Sequence, residues 1–375
     1  MIIGIDANEA NVTNKVGIGQ YAFHILTNIE KLDKKNQYTI YLKNKPRKDL
    51  PKPRQNWQYK ILGPSKLWTR LALPLNLFLS NPKPDVFLSL GHYSPLISPC
   101  PTIPVITDLG YLEYPQQFTK KDLYQLTHWT KQSIKKASHI ITISKFTKNE
   151  IVKTYKIDPT KITIAPPAAN PLSPVWITGK SINKVLNKYN IPPKHPYFLY
   201  MGTLKPSKNI PFLIKSFAQF SKKFPQYNLV IAGKKGWLFD DIFSTVKKLN
   251  IENKIIFTDF VTETEKWHLY YQSFTVVIPS LYEGFGMPAL EAIAYGKTVI
   301  ASKTTSLPEV VGDSDILINP TNINSLVRAL TTLATEKDDQ AIRRNIKAID
   351  QSNKFSWTSS AQTIIDLFQK HNTNW

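Results

Sequence analysis

Short apolar runs alternate with longer stretches of mixed polarity along the whole chain. In the longer stretches apolar residues recur at helical spacing, as they do from Ile210 to Phe220 and from Ala289 to Tyr295. This alternation predicts an α/β protein with parallel sheets covered by helices on both faces. The predicted strands are Ile2 to Asp6, Tyr38 to Leu42, Val86 to Leu90, Pro104 to Thr107, Ile140 to Ile143, Ile162 to Ala165, Tyr197 to Met201, Asn228 to Ala232, Ile255 to Phe257, Val276 to Pro279, Thr298 to Ala301 and Ile316 to Ile318.

The strand and helix pattern restarts after a proline-rich passage from Ala165 to Pro174. With 375 residues the chain is long enough for two domains. We therefore predict Rossmann-like domains over residues 1–172 and 173–356, and a C-terminal helix over 357–375 that packs back on the first domain. Open α/β sheets bind ligands beyond the carboxyl ends of their strands, so two facing domains are expected to form a cleft.

The number of cysteines and the length of the apolar segments indicate in which cellular compartment the protein is expected. Cys100 is the single cysteine, which excludes an internal disulfide and a cysteine-based zinc site and fits a reducing compartment. The segment Met1 to Asp6 has the pattern of a buried first strand and not of a signal peptide. The segment Leu67 to Leu79 is too short and too interrupted to span a bilayer. A cytoplasmic location is expected.

The formal net charge of +21 has two interpretations. Lysines scattered over solvated faces would produce it without any specific role. Alternatively it attracts an anionic partner, such as a phosphorylated substrate, an acidic membrane or a nucleic acid. Nucleic acid is not expected, because the sequence has no zinc finger and no aromatic RNA-binding motif. The amphipathic stretch from Lys66 to Leu71 is either a contact with an anionic inner leaflet or a core-facing helix.

Candidate chemistry concentrates where a predicted strand ends near Ser280 and a helix begins near Met287. Pro288 suits the first turn of that helix, where a missing N–H has no cost. The glycines before it, Gly284 and Gly286, let an anion approach the backbone, and the helix dipole favours negative charge there. This segment predicts a phosphate site.

Two carboxylates flank this helix start, Glu283 in the loop and Glu291 in the helix. Carboxylates accept paired hydrogen bonds from vicinal diols, so one could contact a sugar and the other the ribose of a nucleotide. Without further context, Glu283 would be a solvated loop residue and Glu291 a helix residue favoured by the dipole.

The combined pattern resembles the retaining glycosyltransferases of the GT-B fold, family 4, and bacterial mannosyltransferase-like and glucosyltransferase-like members most. The resemblance extends over nearly the whole chain. Its motifs are Val16 to Tyr21, Tyr200 to Thr203, Lys208-Asn209, Ala232 to Trp237, Pro279 to Glu291, Ser306 to Val310 and Phe355 to Trp357.

The resemblance implies a role for several residues. Glu283 would contact the donor sugar, Glu291 the ribose and Lys208 the donor diphosphate, with retention of anomeric configuration. The first domain would face the acceptor and the second the donor. The family often has an arginine where this chain has Ser207 and a histidine where it has Thr107. Arg70 or Lys205 could replace the first, and His92 could replace the second or be structural.

The implied substrates are a nucleoside-diphosphate sugar, of mannose or glucose type, and a glycan or lipid-linked acceptor in surface polysaccharide synthesis. No cofactor and no metal are expected, and Asp313-Ser314-Asp315 is interpreted as a loop. Lys234 could line the nucleotide pocket or be solvated. The remaining predicted contacts to the donor are Gly284, Phe285, Gly286, Gly17, Gly19, Gly202, Thr203, Val261 and Asp108.

Other functions stay open at this point. Gly17 and Gly19 are expected in a loop before a helix that starts near Tyr21. The string from Gly17 to Ala22 also fits a dinucleotide motif, but about ten residues separate it from its strand, which disfavours a dehydrogenase. A glycosidase needs two carboxylates flanking one bond, which the positions of Glu283 and Glu291 disfavour. A sugar-nucleotide epimerase of the same fold and a catalytically silent nucleotide-binding partner of another transferase are the alternatives.

Overall fold

The computed structural model describes residues 1–170 and 178–371, and its contacts divide them into two compact units. Unit 1 comprises Met1–Pro167 and the segment from Ser356, and unit 2 comprises Ala168–Phe355. The predicted domain boundary at 172 and the last residues of the proline-rich passage lie outside the described residues.

Within the described residues, unit 1 contains a seven-stranded parallel sheet in the order β3-β2-β1-β4-β5-β6-β7. Its strands are β1 Ile2–Asp6, β2 Gln37–Leu42, β3 Trp57–Ile61, β4 Val86–Ser89, β5 Thr102–Ile106, β6 Ile140–Thr142 and β7 Ile162–Ile164. Its helices are α1 Ile18–Leu32, α2 Ala72–Leu79, α3 Gly110–Glu113, α4 Lys120–Lys136, α5 Lys145–Tyr155 and the C-terminal α14 Trp357–His371.

The strands of unit 1 follow from the burial of their side chains. Strands β4 and β5 are buried along their whole length, as expected for central strands covered on both faces. Strand β3 is absent from the sequence prediction, because its residues alternate between apolar and polar instead of forming an apolar run. It lies at the edge of the sheet, where Trp57 packs against Tyr38 with ring centroids 5.0 Å apart.

The segment from Lys66 to Leu71 is a series of turns, so the prediction of a helix there is wrong. Its Trp68 is buried and donates its indole N–H to the carbonyl of Leu62 at 3.1 Å. This anchoring places Trp68 in a core cluster with Leu73 and Leu77 of α2. The helix in this region is α2, which starts immediately after the predicted segment and consists almost entirely of apolar residues.

Helix α1 begins three residues before the predicted start at Tyr21. Gly17 has a positive φ of 50° and occupies the N-cap position, which favours a residue without a Cβ. Gly19 was expected in the loop but lies in the first turn of the helix. Helix α14 packs against α1, and the Trp357 ring stacks on His24 with centroids 4.7 Å apart.

Unit 2, as far as it is described, contains a six-stranded parallel sheet in the order β10-β9-β8-β11-β12-β13. Its strands are β8 Tyr197–Met201, β9 Asn228–Ala232, β10 Ile255–Asp259, β11 Thr275–Ile278, β12 Val299–Ser302 and β13 Ile316–Ile318. Its helices are α6 Gly179–Lys188, α7 Ile210–Lys223, α8 Asp240–Leu249, α9 Glu263–Gln272, α10 Met287–Ala294, α11 Leu307–Val311, α12 Ile323–Ala334 and α13 Asp338–Ser352.

The core of unit 2 lies between this sheet and the helices α7, α8 and α12. Helix α7 buries a broad apolar face that includes Leu213 and Phe217. Phe217 packs edge-on against Phe198 of β8 with ring centroids 6.2 Å apart. These contacts fix β8 and the residues that follow it.

Replacing Leu213 by alanine is expected to destabilise unit 2. The side chain is fully buried, so the substitution leaves a cavity and should lower the free energy of unfolding by about 2–5 kcal/mol. Leu249→Ala, at the partly exposed end of α8, is the matched control and should change it by less than about 0.5 kcal/mol. Urea unfolding followed by circular dichroism measures both. Equal effects of the two substitutions would contradict this account of the core.

Candidate functional site

Most of the predicted site residues lie at one edge of the unit 2 sheet. All its strands run parallel, so their carboxyl ends meet at the same edge, and loops beyond such ends are where open α/β sheets bind ligands. These residues follow three of the strands. They are Gly202, Thr203 and Lys208 after β8, Val261 after β10, and Glu283, Gly284, Phe285, Gly286 and Glu291 after β11.

Lys208 and Glu283 form an ion pair at this edge. Lys208 ends a 3₁₀ turn before α7, and its Nζ lies 2.6 Å from Glu283 Oε1. The hydroxyl of Ser280 donates to the same oxygen at 2.8 Å. The two side chains remain 16% and 11% exposed, so the pair is accessible to a ligand. The structure therefore joins two residues that the sequence presented separately.

The backbone around Glu283 is anchored from a neighbouring loop. The N–H of Glu283 donates to Thr305 Oγ1 at 3.2 Å, and the hydroxyl of Ser306 donates to the carbonyls of Glu283 and Phe285 at 2.9 and 2.7 Å. The N–H of Leu281 donates to the carbonyl of the buried Ser207 at 2.8 Å. The loop position of Glu283 is thus fixed by hydrogen bonds independent of its carboxylate.

The start of helix α10 is more enclosed than the sequence predicts. Gly286 is its N-cap with a φ of 103°, and a Cβ there would lie 2.6 Å from the Leu307 side chain. Its carbonyl accepts the N–H groups of Ala289 and Leu290. Gly284, Phe285 and Gly286 are buried, whereas Lys208 is partly exposed. An anion can therefore reach the ammonium group of Lys208 more easily than the buried N–H groups of the loop.

Glu291 is held by two side chains of helix α9. Lys266 Nζ lies 2.6 Å from its Oε1, and the Tyr270 hydroxyl donates to its Oε2 at 3.0 Å. Burial raises the pKa of the Glu291 carboxyl, and the Lys266 ammonium counters this rise. Burial lowers the pKa of Lys266, but the carboxylates of Glu291 and Glu263 outweigh it and raise that pKa. Each partner therefore favours the charged form of the other.

Lys266 and Tyr270 are missing from the sequence prediction. They stand four residues apart on α9, and Glu263 stands three residues before Lys266, so all three lie on one helix face. That spacing was readable in the sequence. Their proximity to Glu291 was not, because it depends on the packing of α9 and α10.

The loops after β8, β9 and β10 are joined by backbone hydrogen bonds. The N–H of Gly202 donates to the backbone carbonyl of Ala232, and the N–H of Gly233 donates to the backbone carbonyl of Asp259, each at 2.9 Å. Val261 is buried, while Phe260 beside it is 59% exposed. The Thr203 carbonyl accepts the Tyr200 hydroxyl at 3.3 Å. The contacts of Gly202, Thr203 and Val261 with the donor stay a prediction.

Several predicted residues of unit 1 follow its strands β4 and β5. The Asp108 carboxylate accepts the N–H of Gly110 at 2.8 Å, next to the start of α3. The hydroxyl of Thr107 lies 2.9 Å from His92 Nε2, and His92 Nδ1 is sealed from solvent. One ring nitrogen of His92 is thus paired with Thr107 and the other is buried. Arg70, a suggested second cation, lies over the Trp129 ring at 4.4 Å.

The Asp313-Ser314-Asp315 string has a structural role at Asp315. Its Oδ1 accepts the N–H of Val299 at the start of β12 at 2.6 Å, and its Oδ2 accepts the hydroxyl of Ser314. Burial raises the pKa of Asp315 to about 7. Over the described ranges no three His, Cys, Asp or Glu side chains come together as a metal site. Metal-independent chemistry stays a prediction.

A cavity of about 520 Å³ lies at the opposite edge of the unit 2 sheet, where β8, β11 and β12 begin. Lys297 contributes to its lining, and burial lowers the pKa of that lysine to about 8. We place the candidate site at the carboxyl edge instead, because the paired carboxylates and lysines lie there.

Residues 181–349 match the family described as Glycosyl transferases group 1. The chain is 28% identical over 267 residues to O-antigen chain mannosyltransferase B of Escherichia coli, covering 70% of this chain and 68% of that protein. It is 30% identical over 241 residues to the serotype-specific mannosyltransferase WbdA of Escherichia coli, covering 63% of this chain but only 29% of that longer protein.

Among solved structures, Alr3699/HepE of Anabaena in complex with UDP and glucose superimposes with a TM-score of 0.72 at 17% identity, over 98% of this chain and 99% of that one. This likeness shows the fold. The predictions of a GT-B fold and of a resemblance to its glycosyltransferases are confirmed.

Replacing Gly286 by alanine is expected to distort the start of α10. Alanine would be strained at this φ and its Cβ would clash with Leu307, so the free energy of unfolding should fall by about 1–3 kcal/mol. Gly179→Ala is the control, because its Cβ would meet nothing within 4 Å. Its effect should stay within about 0.5 kcal/mol in the same urea titration. An undiminished stability of Gly286→Ala would contradict the described loop geometry.

Proposed function

We propose that this chain, whose residues 181–349 match the Glycosyl transferases group 1 family, transfers a hexose from a nucleoside-diphosphate sugar to a glycan or lipid-linked acceptor. The observation that carries the proposal is the ion pair of Lys208 with Glu283 at the carboxyl edge of the unit 2 sheet. It provides a cation for the diphosphate and a carboxylate for the sugar within one hydrogen bond of each other.

In the proposed reaction, Lys208 offsets the repulsion between the Glu283 carboxylate and the donor diphosphate. A carboxylate near the donor sugar would repel the donor diphosphate, by about 4 kcal/mol for two unit charges 4 Å apart near a protein surface. An ammonium at 2.6 Å from that carboxylate cancels the repulsion. As the sugar leaves, the diphosphate gains negative charge, and Lys208 stabilises it.

Retention of anomeric configuration is part of the proposal. Glu283 Oε1 already accepts hydrogen bonds from Lys208 and Ser280, which lowers its nucleophilicity and suits a role in orienting the sugar. Deprotonation of the acceptor would then be assisted by the departing phosphate. Proton NMR of the initial product tests this point, since an inverted anomer would contradict it.

Mannose is the first donor sugar to test and glucose the second. The relatives matched over most of this chain are named as O-antigen mannosyltransferases, which supports surface polysaccharide synthesis as the setting. The structure aligned over 98% of this chain holds UDP and glucose. GDP-mannose and UDP-glucose therefore represent the two donor classes.

The test is transfer from a panel of nucleotide sugars with glycan and lipid-linked acceptors, followed by release of nucleoside diphosphate. Lys208→Met and Glu283→Gln should each lower kcat at least ~100-fold, because each removes a charge beside the leaving group or sugar. The controls are Lys188→Met and Glu252→Gln, which change exposed residues of the same unit and should keep full activity.

Each alternative predicts a different outcome. Conversion of a donor without any acceptor, seen by NMR, would indicate an epimerase. Tight donor binding without turnover would indicate a silent partner. Full activity of Glu283→Gln would contradict the assigned site.

We also propose that helix α2 places unit 1 on an anionic membrane. Four residues on its outward face and just before it are exposed: Leu71 at 53%, Leu75 at 62%, Phe78 at 45% and Leu79 at 81%. Its other face is packed in the core, so the helix is apolar on both sides, which is unusual at a protein surface. A lipid surface would cover the outward face.

The positive charge of the sequence on either side of α2 indicates what kind of surface covers this helix. From Lys43 to Lys83 the chain has ten lysines and arginines and one acid, Asp49. A second copy of this chain would carry the same net charge of +21 and be repelled. An anionic bilayer is attracted by about 1 kcal/mol per nearby basic residue. Within the part of the chain that is described, no helix is both long and apolar enough to cross a bilayer.

Flotation with vesicles tests this contact. The protein should float with phosphatidylcholine vesicles that contain phosphatidylglycerol and much less with phosphatidylcholine alone. The double substitution Leu75→Asp and Leu79→Asp should weaken binding at least ~10-fold, since two apolar side chains are lost from the contact. The matched control changes Ile342 and Ile346, exposed on α13, to aspartate. Unchanged flotation of the α2 variant, or a dimer that α2 substitution dissociates, would contradict the proposal.

A further inference from the structure

Glu291 has a more specific environment than a solvated helix residue. Each of its oxygens accepts one hydrogen bond, Oε1 from Lys266 at 2.6 Å and Oε2 from Tyr270 at 3.0 Å. A carboxylate has about four acceptor positions. One position on each oxygen is therefore left, and the side chains of Glu291 and Lys266 remain 13% and 15% exposed. Two accepting oxygens match the two hydroxyl donors of a vicinal diol.

The charge of this group also indicates its ligand. Lys266 contacts Glu263 at 2.8 Å as well as Glu291, so the cluster contains two carboxylates and one ammonium and has a net charge of −1. A net negative cluster attracts hydroxyl hydrogens and repels phosphate. It therefore complements Lys208, whose ammonium suits the diphosphate. The two lysine groups therefore favour ligand parts of different charge.

A second ion pair that involves helix α9 has a different environment from that of Lys266 and Glu291. Glu265 pairs with Lys188 of α6, whose side chain is 53% exposed, and Glu265 also caps the start of α9. That pair has an evident role in joining helices at the surface. Lys266, in contrast, lies against the Trp267 ring at 4.4 Å with its ammonium between two carboxylates. Packing on both sides leaves its ammonium little freedom to move from Glu291.

We propose that Lys266 is a positioning residue. It orients Glu291, for which the family resemblance implies a ribose contact, toward the 2′ and 3′ hydroxyls of the nucleotide, so that binding favours ribonucleotides over deoxyribonucleotides. This inference rests on the proposed function, in which unit 2 binds a nucleotide sugar. Tyr270 shares the task by holding the second carboxylate oxygen. Lys266 acts through Glu291 and takes no part in bond breaking.

The experiment measures binding of UDP and GDP by calorimetry and continues with the tighter of the two and its 2′-deoxy and 3′-deoxy forms. Wild type should bind the ribonucleotide at least ~10-fold more tightly than either deoxy form, the effect of one hydrogen bond to a charged group. Glu291→Gln and Lys266→Met should reduce this ratio to about one. Lys266→Arg should restore most of it, and Lys188→Met should leave it unchanged.

The ratio separates orientation from stability, because a general loosening would weaken all three ligands alike. A ratio retained in Lys266→Met but lost in Glu291→Gln would overturn this inference and leave the proposed function intact. Equal binding of ribonucleotide and deoxyribonucleotides by wild type would overturn both the ribose contact of Glu291 and the role of Lys266. An affinity ratio that stays unchanged in Glu291→Gln would do the same. If Lys266→Met fails to fold by circular dichroism, Tyr270→Phe decides in its place, and an unchanged ratio there overturns the shared positioning.

Discussion

The site described in unit 2 depends on pairing each of two carboxylates with a lysine. Glu283 and Glu291 each have an ammonium at 2.6 Å, and all four side chains are between 11% and 16% exposed. A carboxylate without such a partner would repel an anionic donor. Lys208 cancels this repulsion at Glu283, and Lys266 reduces it at Glu291. A nucleotide sugar can then approach acidic side chains that bind its hydroxyls.

Parallel topology makes these pairs possible. Lys208 follows β8 and Glu283 follows β11, which are adjacent strands in the sheet, so their loops meet although 75 residues separate them along the chain. Lys266 lies on the helix after β10, and Glu291 on the helix after β11. The anchoring of the Glu283 loop by Thr305 and Ser306 comes from the turn after β12. Loops after four strands thus contribute to one edge.

The sequence predicted most strands, because central parallel strands are apolar runs with no polar face. It missed β3, an edge strand with alternating polarity, and it misplaced a helix at Lys66 to Leu71, where burial of Trp68 enforces turns. Glu283 and Glu291 were identified from their positions beside a helix start and from a family resemblance, and Lys208 from the resemblance. Their pairing was not, and neither was Lys266, because contacts between helices depend on packing that spacing does not encode. Enclosure of the α10 start likewise depends on Leu307, from a different loop.

The two lysine groups differ in net charge, and this difference favours one orientation of a bound nucleotide. Lys208 and Glu283 together are neutral, whereas Lys266 with Glu263 and Glu291 has a net charge of −1. A diphosphate is therefore favoured at the first group and disfavoured at the second, and neutral hydroxyls show the opposite preference. The net charge of +21 attracts any anion from solution, but salt screens it beyond about 8 Å. Orientation of a bound nucleotide must then come from the short-range contrast between these groups, which the parallel sheet holds at the ends of neighbouring strands.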